Sequence, residues 1–291
     1  MPAVTASAIE PAIAFPTSID DALSLLSAYP DDACVLAGGT WLMRAGGRGE
    51  TLPIMLVSLA RIDGFDTIVR RGEGWTIGPM VTHDALARHF ASTGAFRALG
   101  QAAGNSANPG VRRLATLGGN IATTGFAAAD LAPALLALDA SVTIATPDAM
   151  TSIPVGDFLG EQTSRKPRIV TGIEVEDHGC LSAHARLTMR RAGEYPVAAA
   201  SVAAKISVNR TIEIVRIAVG SVEQTARRWR ELEDELTGRP FDLAEIEAIA
   251  TAGLPAFTPR DGVDAPSWYR LEVLPYLVRM AFAEIDNQAG R

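Results

Sequence analysis

Cysteine is nearly absent from this chain of 291 residues, which contains only Cys34 and Cys180. The two cysteines are far apart, and neither has a CxxC partner or a histidine at metal-ligand spacing. An iron–sulfur cluster is usually held by about four cysteines, and a structural zinc ion by about four cysteine or histidine ligands. We therefore expect any iron–sulfur or zinc centre to belong to another chain, and we predict no metal ligand in this one.

Histidine is also scarce, and its spacing does not suit a metal site. The chain has His83, His89, His178 and His184. Two histidines that share a metal on one helix lie at positions i and i+4, which none of these pairs satisfies. We expect the histidine side chains to face solvent or to cap helices.

An excess of positive charge and long apolar runs are absent as well. The formal net charge is −7 and the isoelectric point is about 5.2, which argues against nucleic acid because that binding depends on Lys and Arg neutralising phosphates. No apolar run reaches the roughly 18 residues that a membrane-spanning helix needs. The first residues, MPAVTASAIEPAIAF, lack the basic segment of a signal peptide and include Glu10. The sequence therefore predicts a cytoplasmic protein without a membrane span.

The composition that remains is typical of a folded protein, with 48% hydrophobic and 20% charged residues. Residues 1–176 alternate short strands and helices, including a helix capped by Ser18 in SIDDALSLLSAY and a buried strand at 34–36. From about residue 177, long strand-like segments are followed by helices, among them a predicted helix over 222–236. We therefore predict an α+β fold with two domains, at 1–176 and 177–291.

Two glycine pairs carry the clearest chemical signal. They are AGGT at 37–40, directly after the strand at 34–36, and TLGG at 116–119, after the predicted loop NSANPGVRR. Glycine allows positive φ and close approach to the main chain, so each segment can present consecutive N–H groups that bind an anion. A pyrophosphate held between two such loops needs no Lys or Arg. The alternative is that each pair is only a tight turn, and neither a P-loop nor a GxGxxG motif is present.

Several segments taken together resemble a known family. LAGGTWLM, VRRLATLGGNIA, AADLAPALLALDA, RRAGEYPVAAASVAA, IAVGSV and APSWYRLEVLPYLVRMAF occur in order between about residues 12 and 285. They are similar to the FAD-binding medium subunit of the molybdenum hydroxylases, the xanthine dehydrogenase and carbon monoxide dehydrogenase family. The resemblance implies a two-part FAD-binding domain of the vanillyl-alcohol-oxidase (PCMH) type at 1–176. It also implies a smaller α+β C-terminal domain at 177–291, with a three-stranded sheet and helices.

The resemblance also implies which residues bind FAD. Both glycine loops clasp the pyrophosphate in that family, which here gives Leu36, Ala37, Gly38, Gly39, Thr40 and Trp41 in the first loop and Thr116, Leu117, Gly118, Gly119 and Asn120 in the second. Asp130 is similar to an acceptor for a ribityl or ribose hydroxyl, although an Asp at a helix N-terminus is also favoured by the helix dipole. Tyr195 resembles an aromatic residue lying against the isoalloxazine ring, or it is an ordinary core tyrosine.

The chain departs from the family pattern at three places. Cys34 stands where relatives often have Lys, and Trp41 stands where Ser, Asp or Glu is commoner. The stretch TTGFAAAD is one residue longer than usual.

The function implied by the resemblance is electron transfer, with no catalytic residue in this chain. FAD here would accept electrons from [2Fe–2S] clusters of a small subunit, which serve a large molybdopterin-binding subunit, and pass them to an external acceptor. The complex would be a dimer of heterotrimers. Two alternatives stay open: a self-sufficient FAD-dependent oxidase or reductase of the same fold, and a flavin-free assembly subunit.

Overall fold

The computed structural model describes residues 11–92, 94–161, 167–189 and 195–290. Most of the N-terminal segment considered above as a leader, residues 1–10, lies outside these ranges. The strands are β1 (Ala12–Ala14), β2 (Ala33–Leu36), β3 (Met55–Ser58), β4 (Ile68–Arg71), β5 (Gly74–Ile77), β6 (Ser141–Ala145), β7 (Met150–Pro154), β8 (Ile169–Val175), β9 (Leu181–Thr188), β10 (Pro196–Ile206), β11 (Ile212–Gly220) and β12 (Arg227–Arg228). The α-helices are α1 (Ile19–Ala28), α2 (His83–His89), α3 (Arg97–Asn105), α4 (Pro109–Arg112), α5 (Leu117–Ala122), α6 (Leu131–Ala137), α7 (Val155–Gly160), α8 (Arg230–Leu236), α9 (Leu243–Ala252), α10 (Ser267–Glu272) and α11 (Leu274–Ala289).

The strands of the described residues form three sheets. A small parallel sheet has the order β1-β3-β2, and a five-stranded antiparallel sheet has the order β4-β5-β8-β6-β7. These two sheets make the first part of the chain. The third sheet, β12-β11-β10-β9, is antiparallel and belongs to the second part. This arrangement confirms the predicted α+β fold with a two-part first domain.

Local sequence signals set the starts of two helices, one of them the helix predicted to be capped by Ser18. The Ser18 hydroxyl accepts a hydrogen bond from Asp21 N at 3.1 Å and caps α1, which buries Ala22, Leu23 and Leu26 on one face. The Thr82 hydroxyl caps α2 in the same way through Ala85 N. A polar side chain at this position satisfies an N–H group that has no partner within the helix.

The C-terminal sheet has four strands where three were predicted, and the helix that follows it is shorter than predicted. The helix expected over 222–236 begins only at Arg230, because Arg227 and Arg228 pair with Val219 and Ala218 of β11. Trp229 N then donates to Ile217 O at 2.7 Å. The apolar residues of 222–236 have helical spacing. The first half of the segment is nevertheless not helical, because its main chain pairs with the sheet at residues 227 and 228.

The two parts share apolar packing. The largest core cluster consists mainly of residues from the five-stranded sheet and from helices α2, α3 and α6, but it also includes Ala203 of β10 and Ala218 of β11. All seven residues of α6 are buried, and a Cβ at Gly220 of β11 would lie 2.9 Å from Pro133 Cγ. Helix α6 is apolar on every side because it lies between the first part and the C-terminal sheet.

Two of the four histidines contradict the expectation of solvent-facing or capping positions. His83 is 2% exposed and its Nδ1 lies 2.7 Å from Ser106 Oγ, while His184 is 6% exposed and its Nδ1 lies 2.8 Å from Ser201 Oγ. Both rings lie among packed elements where a serine supplies the hydrogen bond that water would otherwise provide. In the part of the chain that the structure describes, no cluster of metal-binding side chains forms, and no helix is both long and apolar enough to cross a membrane.

Candidate functional site

A cleft of about 620 Å³ runs past both glycine loops. Its volume falls within the range of about 300–1,000 Å³ that is usual for small-molecule and cofactor sites. Of the residues predicted to bind a cofactor, those that line it are Ala37, Gly38, Gly39, Thr40, Trp41, Thr116, Gly118, Gly119, Asn120, Asp130 and Tyr195. Leu36 and Leu117 are not part of the lining. Leu117 is fully buried in the largest core cluster, so its side chain supports the loop from behind.

The first loop offers main-chain donors to the cleft. Gly39 has φ of +69°, a conformation that favours glycine. No acceptor among the described residues receives a hydrogen bond from the N–H groups of Gly38, Gly39, Thr40 or Trp41. Four successive main-chain donors without a protein partner, in a loop that lines a cleft, are suited to bind an anion.

The second loop differs from the prediction, because it is the first turn of α5 and not a free nest. Leu117 N donates to Val81 O at 2.9 Å, and Gly118 N donates to Pro79 O at 2.8 Å. Thr116 accepts the next two hydrogen bonds. Gly119 N donates to its hydroxyl at 3.1 Å, and Asn120 N donates to its carbonyl at 2.9 Å. All four N–H groups of residues 117–120 are therefore already bonded within the protein.

The glycines of the two pairs also serve packing, a role that the local sequence pattern does not reveal. A Cβ at Gly38 would lie 1.8 Å from Leu114 O, and one at Gly118 would lie 2.6 Å from Pro79 Cβ. These two glycines let main chains approach each other. A Cβ at Gly119 would lie 3.4 Å from Ala37 Cβ, so the two loops lie side by side at the cleft.

Three aromatic rings from different parts of the chain gather at one end of the cleft. The ring centroids of Trp41 and Phe126 are 4.6 Å apart, and Tyr195 lies 5.5 Å from Phe126 and 6.1 Å from Trp41. Tyr195 is 39% exposed and lines the cleft, so it is not an ordinary core tyrosine. Its position directly before β10 brings the second part of the chain to the site.

Arginine side chains line the cleft, although the sequence analysis assigned no cation to it. The guanidinium of Arg48 lies 4.0 Å from the Trp41 ring centroid and donates to Trp41 O at 2.9 Å, while it also pairs with Glu50. Arg44 Nη1 lies 3.4 Å from the Tyr195 hydroxyl. Both arginines follow the first loop on a short 3₁₀ helix over residues 42–48, a tight turn that the sequence pattern does not reveal.

The other end of the cleft is apolar and is formed by α1, β2, the residues after β3 and β5, and the start of β8. It is lined by side chains that share the third core cluster or lie beside it, namely Leu26, Ala33, Val35, Leu59, Met80 and Ile169. The first loop continues directly from β2 and ends at Trp41. It therefore joins the apolar end of the cleft to the aromatic end.

Asp130 lies where α6 begins, but its side chain makes no capping hydrogen bond. Its Oδ1 lies 2.9 Å from Arg186 Nε, and burial raises the pKa of Asp130 to about 7 while the Arg186 guanidinium opposes that rise. The start of α6 is bonded instead by Asn120, whose Oδ1 accepts from Leu131 N at 3.1 Å. The second loop is thus linked to the segment that carries Asp130.

His83 lines the cleft as well, next to the second loop. Burial lowers its pKa to about 4, and the backbone of Thr116 offsets only part of this effect. The ring is therefore neutral near pH 7. A pKa of about 4 makes the ring only a weak base near pH 7, and its Nδ1 lies against Ser106, so His83 is a supporting residue of the loop.

Comparisons with known proteins agree over nearly the whole chain. Residues 8–175 match the family model described as FAD binding domain in molybdopterin dehydrogenase, and residues 183–285 match the model described as CO dehydrogenase flavoprotein C-terminal domain. The 6-hydroxypseudooxynicotine dehydrogenase complex subunit alpha of Paenarthrobacter nicotinovorans is 28% identical, with 94% of this chain and 93% of that protein covered. The carbon monoxide dehydrogenase medium chain of Hydrogenophaga pseudoflava is 27% identical, with 91% and 93% covered. A solved structure of carbon monoxide dehydrogenase from the same organism matches with a TM-score of 0.88 and 25% identity, covering 96% of this chain and 98% of that one.

Proposed function

The chain belongs to the family of FAD-binding domains in molybdopterin dehydrogenases, and from this premise we propose that it is the electron-transfer subunit of its complex. It is an FAD-binding subunit of an oxidoreductase of the molybdenum hydroxylase class. We propose that electrons arrive from [2Fe–2S] clusters of a small subunit, that a large subunit holds the molybdopterin, and that an external acceptor removes the electrons. We also propose that the complex is a dimer of heterotrimers and that this chain has two domains, at residues 1–176 and 177–291.

The observation that supports this proposal most directly is the set of N–H groups of the first loop that have no partner among the described residues and that line a cleft of suitable size. A pyrophosphate has acceptor oxygens and negative charge that suit these donors. Arg44, without a carboxylate partner among the described residues, adds positive charge nearby. The donor set and the shape of the cleft therefore fit FAD.

We assign the ends of the cleft by their chemistry. The apolar end beside β2 suits the adenine, because flat apolar surface favours burial of an aromatic base. The rings of Trp41, Phe126 and Tyr195 suit the isoalloxazine, which they can contact and shield from water. Asp130 and the Asn120 side chain also line the cleft, and we assign them to hydrogen bonds with the ribityl or ribose hydroxyl groups of FAD.

FAD, when bound, supplies the ability to take up and release electrons, and the protein supplies binding and orientation. The described residues around the cleft do not form an acid–base set, because the low pKa of His83 makes it a weak base and Asp130 is engaged with Arg186. This argues against a self-sufficient oxidase, which needs a group that removes a proton from its own substrate.

The first experiment measures cofactor binding by the purified chain. We expect the chain to bind FAD at least about tenfold more tightly than FMN, because FMN lacks the second phosphate and the adenine that the loop and the apolar end would hold. Equilibrium titration with flavin fluorescence measures both constants. Failure to bind any flavin would favour the assembly subunit instead.

The second experiment tests where the electrons come from. The FAD-loaded chain alone should not be bleached by aldehydes, purines or N-heterocycles, but it should be bleached by dithionite in the flavin absorbance bands. In the native complex purified through a tag on this chain, we expect substrate-dependent bleaching together with iron–sulfur absorbance. Substrate-dependent reduction of the chain alone would support the self-sufficient oxidase.

A variant tests the assignment of the loops. Gly119→Ala places a methyl group between the loops, 3.4 Å from Ala37 Cβ and 3.0 Å from Thr116 Oγ1. We expect FAD to bind at least about tenfold more weakly, because the methyl group occupies space between the two loops. A tenfold change in the dissociation constant corresponds to about 1.4 kcal/mol of binding free energy. Gly160→Ala, which meets no atom within 4 Å, is the matched control.

A further inference from the structure

Strand β9 of the second part docks along helix α3 of the first part through polar contacts at every second residue. Ser182 Oγ accepts from Ala98 N at 2.9 Å, and His184 N donates to Gln101 Oε1 at 2.8 Å. Arg186 Nη1 donates to the carbonyl of Asn105, at the end of the helix. Strand β9 is at the edge of its sheet, so its unpaired main-chain edge and the Ser182 and Arg186 side chains are held against the helix.

The last contact of this row reaches the cofactor cleft. Arg186 Nε lies 2.9 Å from Asp130 Oδ1, with the two side chains 10% and 7% exposed. Asp130 is part of the cleft lining, whereas Arg186 is not. The arginine therefore approaches the carboxylate from behind, as seen from the cleft.

Arg186 is the charged group that controls the ionisation of Asp130, because the other charged side chains near α6 lie elsewhere. Among the described residues, Arg186 is the charged side chain whose field acts on the Asp130 carboxyl. On the same face of β9, His184 is neutral because burial and Arg186 lower its pKa to about 3. The other charged groups next to α6, Arg216 and Arg228, pair with Asp139 at the opposite end of the helix. From α3 and α5 the neighbours are neutral.

We propose that Arg186 is a positioning residue of the FAD site, which favours the ionised form of the Asp130 carboxylate and orients it so that it accepts a hydrogen bond from a hydroxyl group of the bound cofactor. An ionised carboxylate accepts hydrogen bonds about twice as strong as neutral ones. A buried carboxyl without a cation takes up a proton instead, and the protonated group loses acceptor capacity. The inference rests on the proposed FAD binding and adds a contribution from the second domain.

A purely structural ion pair between the two domains is the competing explanation, and the chain offers a matched control for it. Arg97 of α3 and Glu284 of α11 form another ion pair between the two parts, at 2.8 Å, and Arg97 does not line the cleft. Arg97→Gln therefore removes an ion pair across the same interface without altering the charge of Asp130. A lowered melting temperature is expected from both arginine variants.

The test is the dissociation constant of FAD between about pH 6 and pH 9, measured by flavin fluorescence on the whole chain. The native chain should bind FAD with an affinity that falls as the pH drops below about 7, the pKa of Asp130. Arg186→Gln should bind about tenfold more weakly at neutral pH, with the gap narrowing toward pH 9 as Asp130 ionises. Arg186→Lys keeps the positive charge but cannot reach both Asp130 and the Asn105 carbonyl, so its affinity should lie between those of Arg186→Gln and the native chain, whereas Arg97→Gln should match the native chain.

Asp130→Asn keeps the test decisive if Arg186→Gln fails to fold. It should lose about tenfold in affinity and should lose the pH dependence with it. Native affinity in either Asp130→Asn or Arg186→Gln would overturn the proposal. No flavin binding by the native chain at any pH would instead refute the proposed function, so the two failures are distinguishable.

Discussion

Replacing Gly38 by alanine tests the packing of the first loop most directly. An alanine Cβ at this position would lie 1.8 Å from Leu114 O, 2.7 Å from Leu114 C and 3.1 Å from Ala115 Cα. All three atoms belong to the main chain, so no side chain can rotate away. The loop must move by about 1.2 Å for the closest contact to reach about 3.0 Å, the shortest that real Cβ atoms show.

The size of the effect follows from that displacement. Overpacking of this kind costs about 1–3 kcal/mol, and each kcal/mol lowers the melting temperature of a chain of this size by about 2–4 °C. We therefore expect a decrease of about 2–12 °C in differential scanning fluorimetry of the flavin-free chain. FAD should also bind at least about tenfold more weakly, because the displaced N–H groups no longer meet the pyrophosphate oxygens at hydrogen-bond distance.

The control for this variant lies a few residues further along the same segment. Gly46→Ala places its Cβ where no atom lies within 4 Å, so melting temperature and FAD affinity should equal those of the native chain. If Gly38→Ala and Gly46→Ala behave alike in both measurements, the argument from main-chain contact is refuted.

Three further predictions concern stability. Arg270→Met should lower the free energy of unfolding by about 3–5 kcal/mol in urea titration, because the fully buried guanidinium donates to Val197 O at 2.6 Å and to four other acceptors; a loss below about 1 kcal/mol would contradict this. Burial lowers the pKa of His83 to about 4 and of His184 to about 3 from 6.5, so their contribution is complete above pH 6.5 and declines as the pH falls through 6.5 toward 4. Protonation of each histidine should lower the free energy of unfolding by up to about 2 kcal/mol between about pH 6.5 and 5. If the variant with both His83 and His184 replaced by Gln unfolds with the same pH dependence as the native chain, this expectation is refuted. Ser18→Ala should cost about 1 kcal/mol by removing the cap of α1, again by urea titration, whereas no change would show that the cap is unimportant.

The sequence was sufficient for the elements whose signals are local. The cap at Ser18, the apolar helix at 131–137 and the long strands of the second part are all set by spacing and side-chain type. The first glycine loop was also predictable, because two glycines directly after a strand indicate a turn, and Gly39 there has the positive φ that other residues avoid. Strand β2 itself was predicted to be buried, but it is only half-buried.

The second glycine pair shows where local reasoning fails. TLGG was predicted to be a loop whose free N–H groups bind an anion, yet it opens α5, because Thr116 caps the helix and Gly118 packs against Pro79. The sequence did contain a capping threonine. Pro79, which makes glycine necessary at this helix position, is distant in the sequence and becomes a neighbour only in the fold.

The charged groups of the site were the hardest to predict. Arg44 and Arg48 reach the cleft because a 3₁₀ helix turns back after the first loop. Arg186 meets Asp130 only because β9 aligns with α3. Each depends on a tertiary contact, and neither spacing nor propensity encodes it locally.

The row of contacts between β9 and α3 has a consequence for how the protein matures. The wall of the cleft that includes Tyr195 follows β9 in the chain, and β9 must align with α3 before that wall reaches Trp41 and Phe126. A nascent chain still on the ribosome, with only its first half emerged, has no closed pocket to retain a nucleotide. We therefore expect a chain that ends before β9 to retain flavin less well than the whole chain.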